Sequence, residues 1–474
     1  MHWRKRALSL AGALLIAVYF FRLVRPTLHI YFTPDDFMNL YRAWDFPVTD
    51  LVKANCLFFL RSDFYRPMGS AWYRSIFHFA GLNPFPFHLA NMIFLAANVF
   101  LTYAVSRRLS GSREVGAVAA LLGSYYHRLD CLYFDTGYIF DVLCYCFYFA
   151  AFLIYVRARQ QKRPLNAREV IGCSIAYICA LNSKEIAVTL PVFLLIYELL
   201  FHVKKGRLKA GFTASIWVTA AMSVIFLIGR MTGPGSLASY AGYHTVFTWE
   251  RFMETSRHFL GDVFSNGGDW RAASVLALWG ALLLIAVAAR SRTLQFAWLF
   301  LMLSVLPIAF VFPRGAPQYY IPWFGYVLYA STLVVRSIEY ATGKVWKDRA
   351  WLPVVRCAVV LAGLVTVLYP YFKRTGFSNV TSATVEAPHN REYVEQLLSL
   401  DPRVRPGSHL LFLNDPIRTD WENLIFIVRL AYRDRRLEIA RAKRMARPPD
   451  EQQLARYDYV FDYRDGRFSE VKRP

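Results

Sequence analysis

The chain contains no Gly-x-x-x-x-Gly-Lys-Ser/Thr phosphate loop and no Gly-x-Gly-x-x-Gly turn. ATP-driven pumping and nucleotide-cofactor chemistry therefore lack the backbone cradle they ordinarily use. There is no His-Glu-x-x-His or comparable metal-ligand spacing, so no metal site is expected from motif. No helical repeat of fixed period recurs and no low-complexity run interrupts the sequence, which removes a repeat scaffold. Charge is scarce, at 19% of residues, and acids are scarcer than bases, 33 against 55, for a net charge of +22. Cysteines number only seven. Cys144, Cys146, Cys173, Cys179 and Cys357 fall in apolar runs, where a thiol is most often small packing. Cys56 and Cys131 lie outside such runs and can pair, although spacing alone does not show it.

What the chain has in abundance is apolar sequence: 56% hydrophobic residues, 17% aromatics and a positive mean hydropathy of +0.28 over 474 residues. That is too apolar for an ordinary soluble protein of this length. Runs long enough to cross a membrane, or nearly so, are Leu8–Val24, Phe87–Val105, Tyr138–Val156, Ile186–Phe201, Phe212–Met231, Ala272–Ala289, Leu294–Phe312, Tyr319–Val335 and Val354–Phe372. Two shorter runs, Val115–Tyr126 and Val170–Leu181, hold 12 residues each. By length alone they read as re-entrant or buried helices.

Charge decides whether they cross. If both do, the segments before Leu8 and after Val105, Val156, Phe201, Ala289 and Val335 share one side and carry 21 Lys and Arg against four acids, Glu114, Glu169, Glu339 and Asp348. This is the positive-inside signature, and any other parity scatters it. The fold class expected is an α-helical polytopic membrane protein of about eleven spans, with a cytoplasmic N-terminus and an extracytoplasmic C-terminus. The first run reads as an anchor rather than a cleaved signal, because Phe20-Phe21-Arg22 follows its core instead of a small-x-small site. Most of the positive excess sets orientation, so nucleic acid is discounted as a partner. The expected location is the plasma membrane, the inner membrane of a bacterium, with membrane lipids as partners.

The transmembrane part is residues 1–372, with extracytoplasmic loops at 25–86 and 232–271. Residues 373–474 carry both signs of charge and no spanning run, and so read as a soluble extracytoplasmic domain. Within it Asn390–Leu400 and Glu422–Tyr432 have helical periodicity, while 409–413 and Tyr457–Tyr463 read as strands, giving a small α/β module.

Thr33-Pro34-Asp35-Asp36 stands ten residues after the first apolar run, in the first extracytoplasmic loop, and the same loop carries Tyr65 and Arg66. Charges at the mouth of a membrane are usually working groups. The bland reading is a helix N-cap followed by Phe37–Trp44, the carboxylates satisfying free N–H groups. The functional reading is a general base, one carboxylate taking the proton of an attacking hydroxyl. Its neighbour would then orient it, bind the sugar or hold a divalent cation. Otherwise no cofactor is expected.

Several polar residues share that outer side by parity: His88, Asn91, His127, Asp130, Asp135, Asp141, Lys184, Glu185, Arg314 and Gln318. Asp141 and Glu185 sit within or beside apolar runs, where an unpaired charge costs about 3 kcal/mol, so both need partners or water. Lys184-Glu185 can be an interfacial ion pair and Arg314 a snorkelling cation. Together with the acids, Arg314, Lys184 and Arg66 suggest binding of a phosphate leaving group. Tyr65, His88, Asp130, Glu185 and Gln318 are the candidate substrate-binding residues. Because nucleotide sugars are cytoplasmic, an extracytoplasmic site needs a donor carried across on a lipid, a polyprenyl-phosphate sugar.

At these residues the chain resembles the C-type (GT-C) membrane glycosyltransferases, most of all the protein O-mannosyltransferase relatives that often carry tetratricopeptide tails. The resemblance rests on Asp35-Asp36, on Tyr65-Arg66-Pro67-Met68 and Phe87-His88-Leu89-Ala90-Asn91, on the stretch from Ser183 to Pro191, and on Gln318-Tyr319-Tyr320-Ile321-Pro322 after Arg314, in that order. It implies a GT-C-like fold and inverting transfer of a hexose or pentose from a polyprenyl-phosphate donor. Asp35 or Asp36 would be the base, Lys184 and Glu185 would match the Lys-Glu of the pattern, and Arg314 would meet the lipid phosphate. Gln318 stands where such relatives usually have an acid or Arg, and His127-Arg128-Leu129-Asp130 replaces a His-Pro start. The tetratricopeptide tail is missing, so the acceptor, glycan, lipid or protein, stays open. The alternative reading is a transporter or flippase for a lipid-linked or anionic solute. Transporters often place broken helices and charge near the midplane, whereas these charges cluster at the outer interface.

Overall fold

The computed structural model describes residues 2–58, 66–203, 214–232, 244–264, 270–343, 352–376, 380–401 and 403–472. From the N-terminus, α1 (His2–Val24) is followed by three helices of the first loop, α2 (Pro34–Asp45), α3 (Val48–Cys56) and α4 (Pro67–Ala80). Next come α5 (Pro84–Ser110), α6 (Arg113–Ser124), the single turn α7 (Cys131–Phe134), α8 (Ile139–Gln160), α9 (Ala167–Ser183) and α10 (Leu190–Phe201). The second half of the helical body holds α11 (Ala214–Met231), α12 (Trp249–Phe264), α13 (Ala272–Ala288), α14 (Arg292–Ser304), α15 (Leu306–Ala309), α16 (Tyr320–Gly343) and α17 (Leu352–Thr375). Each of the eleven apolar runs carries a helix over most of its described residues, the sixth entering through a 3-10 turn at Glu185–Thr189; Val115–Tyr126 leaves the helix after Ser124, with Tyr125 and Tyr126 extended, and Leu294–Phe312 breaks at Val305 and leaves the helix after Ala309. Among the described residues, five stretches are long and apolar enough to cross a membrane: Leu10–His29, Pro84–Ser110, Thr136–Gln160, Arg292–Ala309 and Leu352–Thr375.

Helix boundaries follow local chemistry. Asn83 accepts from Phe85 N and Pro84 occupies the first position of α5, which ends after Arg107 and Arg108 at Gly111 with φ 72°. Pro has no N–H to leave unsatisfied there, and only glycine enters the left-handed region without strain. Asn166 and Glu169 form a reciprocal capping box at the start of α9. Interior contacts are pinned by single polar links: Asn98 Nδ2 donates to Val142 O at 3.0 Å, and the Thr102 and Tyr145 hydroxyls lie 2.7 Å apart. Such links supply specificity where lipid and side chain are equally apolar. On the side read as cytoplasmic, Arg159 meets Glu198 at 2.5 Å and Arg356 meets Glu114 at 2.6 Å, tying α8 to α10 and α17 to α6. Glu114, one of the four acids among the basic loops, is thus a structural counter-ion.

The C-terminal module contains α18 (Ala387–Leu400), β1 (His409–Phe412), α19 (Asn423–Tyr432), β2 (Glu438–Arg441), α20 (Glu451–Leu454), β3 (Tyr459–Arg464) and β4 (Arg467–Lys472). The sheet order is β2-β1-β3-β4, with β1 parallel to β2 and β3, and β4 antiparallel to β3. Both expected helices and both expected strands are present, and β2 and β4 add to them. The module packs against α2, where Phe426 stacks on Tyr41 with ring centroids 5.0 Å apart. Cys56 and Cys131 are both free.

Candidate functional site

The site is built around the first turn of α2. Pro34 at the first position and acids in the first turn suit a helix N-terminus, and Phe37, Leu40 and Tyr41 bury one face at helical spacing. Thr33 is the N-cap and Asp36 closes a reciprocal capping box with it, so the capping reading holds for Asp36. The Thr33 hydroxyl accepts from Asp36 N at 3.3 Å, and Asp36 Oδ2 takes the Thr33 N–H at 2.9 Å and the Thr33 hydroxyl at 3.2 Å. Asp36 Oδ1 accepts from Tyr73 of α4 at 3.0 Å and from Thr136 at 2.5 Å. Four donors on one fully buried group call for an ionised, acceptor-only carboxylate. Burial nevertheless pushes its pKa up to about 6, against the pull of those hydrogen bonds.

Asp35, one residue earlier, faces solvent. The protein around it removes enough water to raise its carboxyl above the ordinary range. Gly137 lets the two segments meet, since a Cβ there would stand 2.8 Å from Asp135 Oδ1 and 3.2 Å from Asp35 Cβ. Asp135 accepts from Gly137 N at 2.8 Å. Burial, then the charges of Asp36 and Asp35, hold Asp135 well above the usual carboxylate range. The structure therefore assembles a trio of carboxylates; the third, Asp135, is among the polar residues expected on the outer side but not among those assigned to the site. Its signal was the Asp135-Thr136-Gly137 turn between two apolar stretches. Among the described residues no group of three His, Cys, Asp or Glu side chains has the geometry to hold a metal ion.

The cations lie beside this trio. Arg66, in a left-handed conformation at φ 61°, caps the start of α4, and its guanidinium lies 5.6 Å from the Phe140 ring centroid. It pairs with Glu185 at 3.0 Å, while Lys184 pairs with Asp141. Lys184 and Glu185 therefore do not pair with each other. Lys184 is extended, at φ −160° and ψ 145°, and successive side chains on an extended backbone diverge. Both acids that needed partners have them. Cys144 lies within electrostatic reach of all four of these groups, and Tyr138 within reach of Asp35, Asp135 and Asp141, which joins the acid trio to the ion pairs. Arg230 at the end of α11 acts on Glu185 electrostatically and forms no ion pair among the described residues.

The remaining candidates stand on other elements. Tyr65 lies outside the described residues. His88 is buried at the start of α5, with neither ring nitrogen in a well-formed hydrogen bond to the described residues. Asp130 is buried, accepts weakly from the Cys131 thiol at 3.7 Å, and is pushed up to about 6 by burial. Arg314 is half-buried in the loop before the 3-10 turn Ala316–Tyr319, with its carbonyl 3.1 Å from His258 Nε2. Gln318 lies in that turn. A separate shallow pocket lined by Tyr126, Phe259, Tyr319 and Trp323, with the Arg128–Asp262 ion pair at its wall, does not include Asp35, Asp36 or Asp135.

No family model matches the chain, and no curated protein matches it.

Proposed function

We propose that the chain is a glycosyltransferase of the extracytoplasmic face that moves a sugar from a polyprenyl-phosphate donor to a hydroxyl acceptor with inversion. The observation that carries this reading is the asymmetry of the adjacent acids: Asp36 is sealed by four donors, and Asp35 is left facing solvent. Asp35 takes the proton of the acceptor hydroxyl as its oxygen bonds to the anomeric carbon. The bond from that carbon to the phosphate oxygen breaks, and the phosphate leaves with the electron pair. Arg66 and Lys184 are paired with Glu185 and Asp141, and Arg230, which acts on Glu185 without an ion pair among the described residues, adds a further cation toward a leaving phosphate. Arg314 is assigned to the same phosphate, and His88, Asp130, Glu185 and Gln318 to substrate.

The test is release of labelled sugar from a panel of polyprenyl-phosphate hexoses and pentoses by purified protein in lipid. Transport of an intact lipid-linked solute without release would reject transfer. Within this reading Arg314→Ala raises the donor KM about tenfold or more, as for loss of a charged hydrogen bond, while the melting temperature holds. Unchanged donor kinetics would return Arg314 to snorkelling.

The same proposal places eleven spans with the N-terminus inside. Reporter fusions after Val105, Val156, Phe201, Ala289 and Val335 are expected to read cytoplasmic, and one after Phe372 outside. An inside reading after Phe372 breaks the scheme.

A further inference from the structure

The two peptide units that set the acids in place are gripped from the far end of the chain. Asn390 of α18 donates through Nδ2 to Phe32 O at 2.9 Å, and Asn423 of α19 donates to Pro34 O at 2.8 Å; both side chains are buried. Phe32 O belongs to the peptide whose N–H, on Thr33, donates to Asp36 Oδ2 at 2.9 Å. One amide is therefore clamped on both sides, Asn390 on its oxygen and Asp36 on its hydrogen. Polarisation along such a chain strengthens the second bond. Pro34 O belongs to the peptide that carries the nitrogen of Asp35. The other end of α2 is held too, with Arg429 donating to the Tyr41 hydroxyl at 2.5 Å and the Arg435 guanidinium 4.6 Å from the Trp44 ring centroid.

We infer that Asn390 and Asn423 are positioning residues, and that the C-terminal module is the part of the protein that fixes the Asp35-Asp36 pair for its chemistry. Neither asparagine touches a reacting atom; each acts through a backbone carbonyl. The catalytic half of this inference rests on the glycosyltransferase reading, and the structural half does not. Misplacing a catalytic group by about 1 Å can lower a rate about 100-fold. Asn390→Ala and Asn423→Ala are accordingly expected to lower turnover about 10- to 100-fold with little change in donor KM. The acid limb of the pH profile moves to higher pH in Asn390→Ala, because a weaker Thr33 N–H bond stabilises the Asp36 carboxylate less. Asn390→Asp, which removes the donor and sets a negative charge against Phe32 O, has the larger effect.

The test uses the full-length protein and two readouts. Carbodiimide coupling of an amine to exposed carboxyls, followed by peptide mass spectrometry, reads the geometry without any assumption about activity. In the wild type Asp35 labels and Asp36 is protected. In the Asn390→Ala and Asn423→Ala variants Asp36 labelling is expected to rise about tenfold, the change for one lost buried hydrogen bond, with Glu198 still protected. Unchanged Asp36 protection in both variants, or equal exposure of Glu198, overturns the inference. If Asp36 is released but turnover is intact, the positioning role falls. A wild type that transfers no sugar while its asparagine variants still release Asp36 condemns the functional reading alone.

Discussion

Asp35→Asn is expected to lower turnover by about 100- to 10,000-fold at saturating lipid-sugar donor, the range for loss of a general base, with stability and donor binding retained. An exposed carboxylate in the first turn of a helix adds only a few tenths of a kcal/mol to about 1 kcal/mol through the dipole, so a large rate effect on an intact fold isolates chemistry. Asp36→Asn differs. It replaces one of two acceptor oxygens by an NH2 donor, so either Thr33 or the Tyr73 and Thr136 hydroxyls lose their acceptor in a sealed site, and a lost buried partner costs about 1–3 kcal/mol, so stability and rate fall together. Near-normal rates in both amide variants would reduce the pair to a capping box and remove the centre of the enzyme reading.

The pH dependence separates the two roles further. The folded pKa of Asp36 is raised to about 6 from an ordinary value near 3.8. The fold thus binds the extra proton more tightly than the unfolded chain does. The stabilisation from that proton is fully present below the unfolded pKa and is lost as pH rises through about 6. Activity moves the other way, since both acids serve as carboxylates. A rate that falls on acidification through about pH 6, while this group favours the fold, is the expected signature. Parallel loss of rate and fold on acidification would contradict it.

Lys184→Met should be the most destabilising substitution at the site. Lys184 and Asp141 are each 6% exposed at the side chain and pair with one another. Removing one partner of a buried pair costs about 3–5 kcal/mol, because the survivor is left charged and dry. Replacing both, as in Lys184→Met with Asp141→Leu, recovers most of that cost, because two apolar groups of similar volume need no counter-charge. The double variant then tells the two roles apart. Folded and active protein makes Lys184 a strut; folded protein with donor use abolished makes it part of the phosphate pocket. Thermal unfolding in detergent, with donor kinetics beside it, checks both.

Apolar run length was the most legible feature of this sequence. Every run carries a helix over most of its described residues, including the two whose length alone left them ambiguous, Val170–Leu181 throughout and Val115–Tyr126 as far as Ser124. Helices of the C-terminal module were readable from helical periodicity instead, and β1 and β3 from short apolar runs, which carry the buried rows Leu410–Phe412 and Tyr459–Phe461. β2 and β4 were not. Glu438–Arg441 is too short and polar, and Arg467–Lys472 alternates charge with apolar residues as an edge strand does. At the site, the need of Asp141 and Glu185 for partners followed from burial, but the identity of those partners did not. Neighbouring Lys184 and Glu185 looked like a pair, and an extended backbone turns them to different acids. Tyr73 and Thr136 gave no signal, as a tyrosine in an amphipathic helix and a threonine in a turn are ordinary. Asn390 and Asn423 read as helix-start residues, when their amides are committed to carbonyls near the other end of the chain.

That last contact imposes an order of events on synthesis. Asn423 and Pro34 are 389 residues apart, and at about 5–20 residues per second a ribosome needs roughly 20 to 80 s to make the chain between them. For that interval α2 emerges and waits without the amides that grip it. A nascent chain stopped before its final α/β module therefore carries the site's acids, with Asp36 already held by Thr33, Tyr73 and Thr136, but lacks the outer grip of Asn390 and Asn423, so competence arrives late.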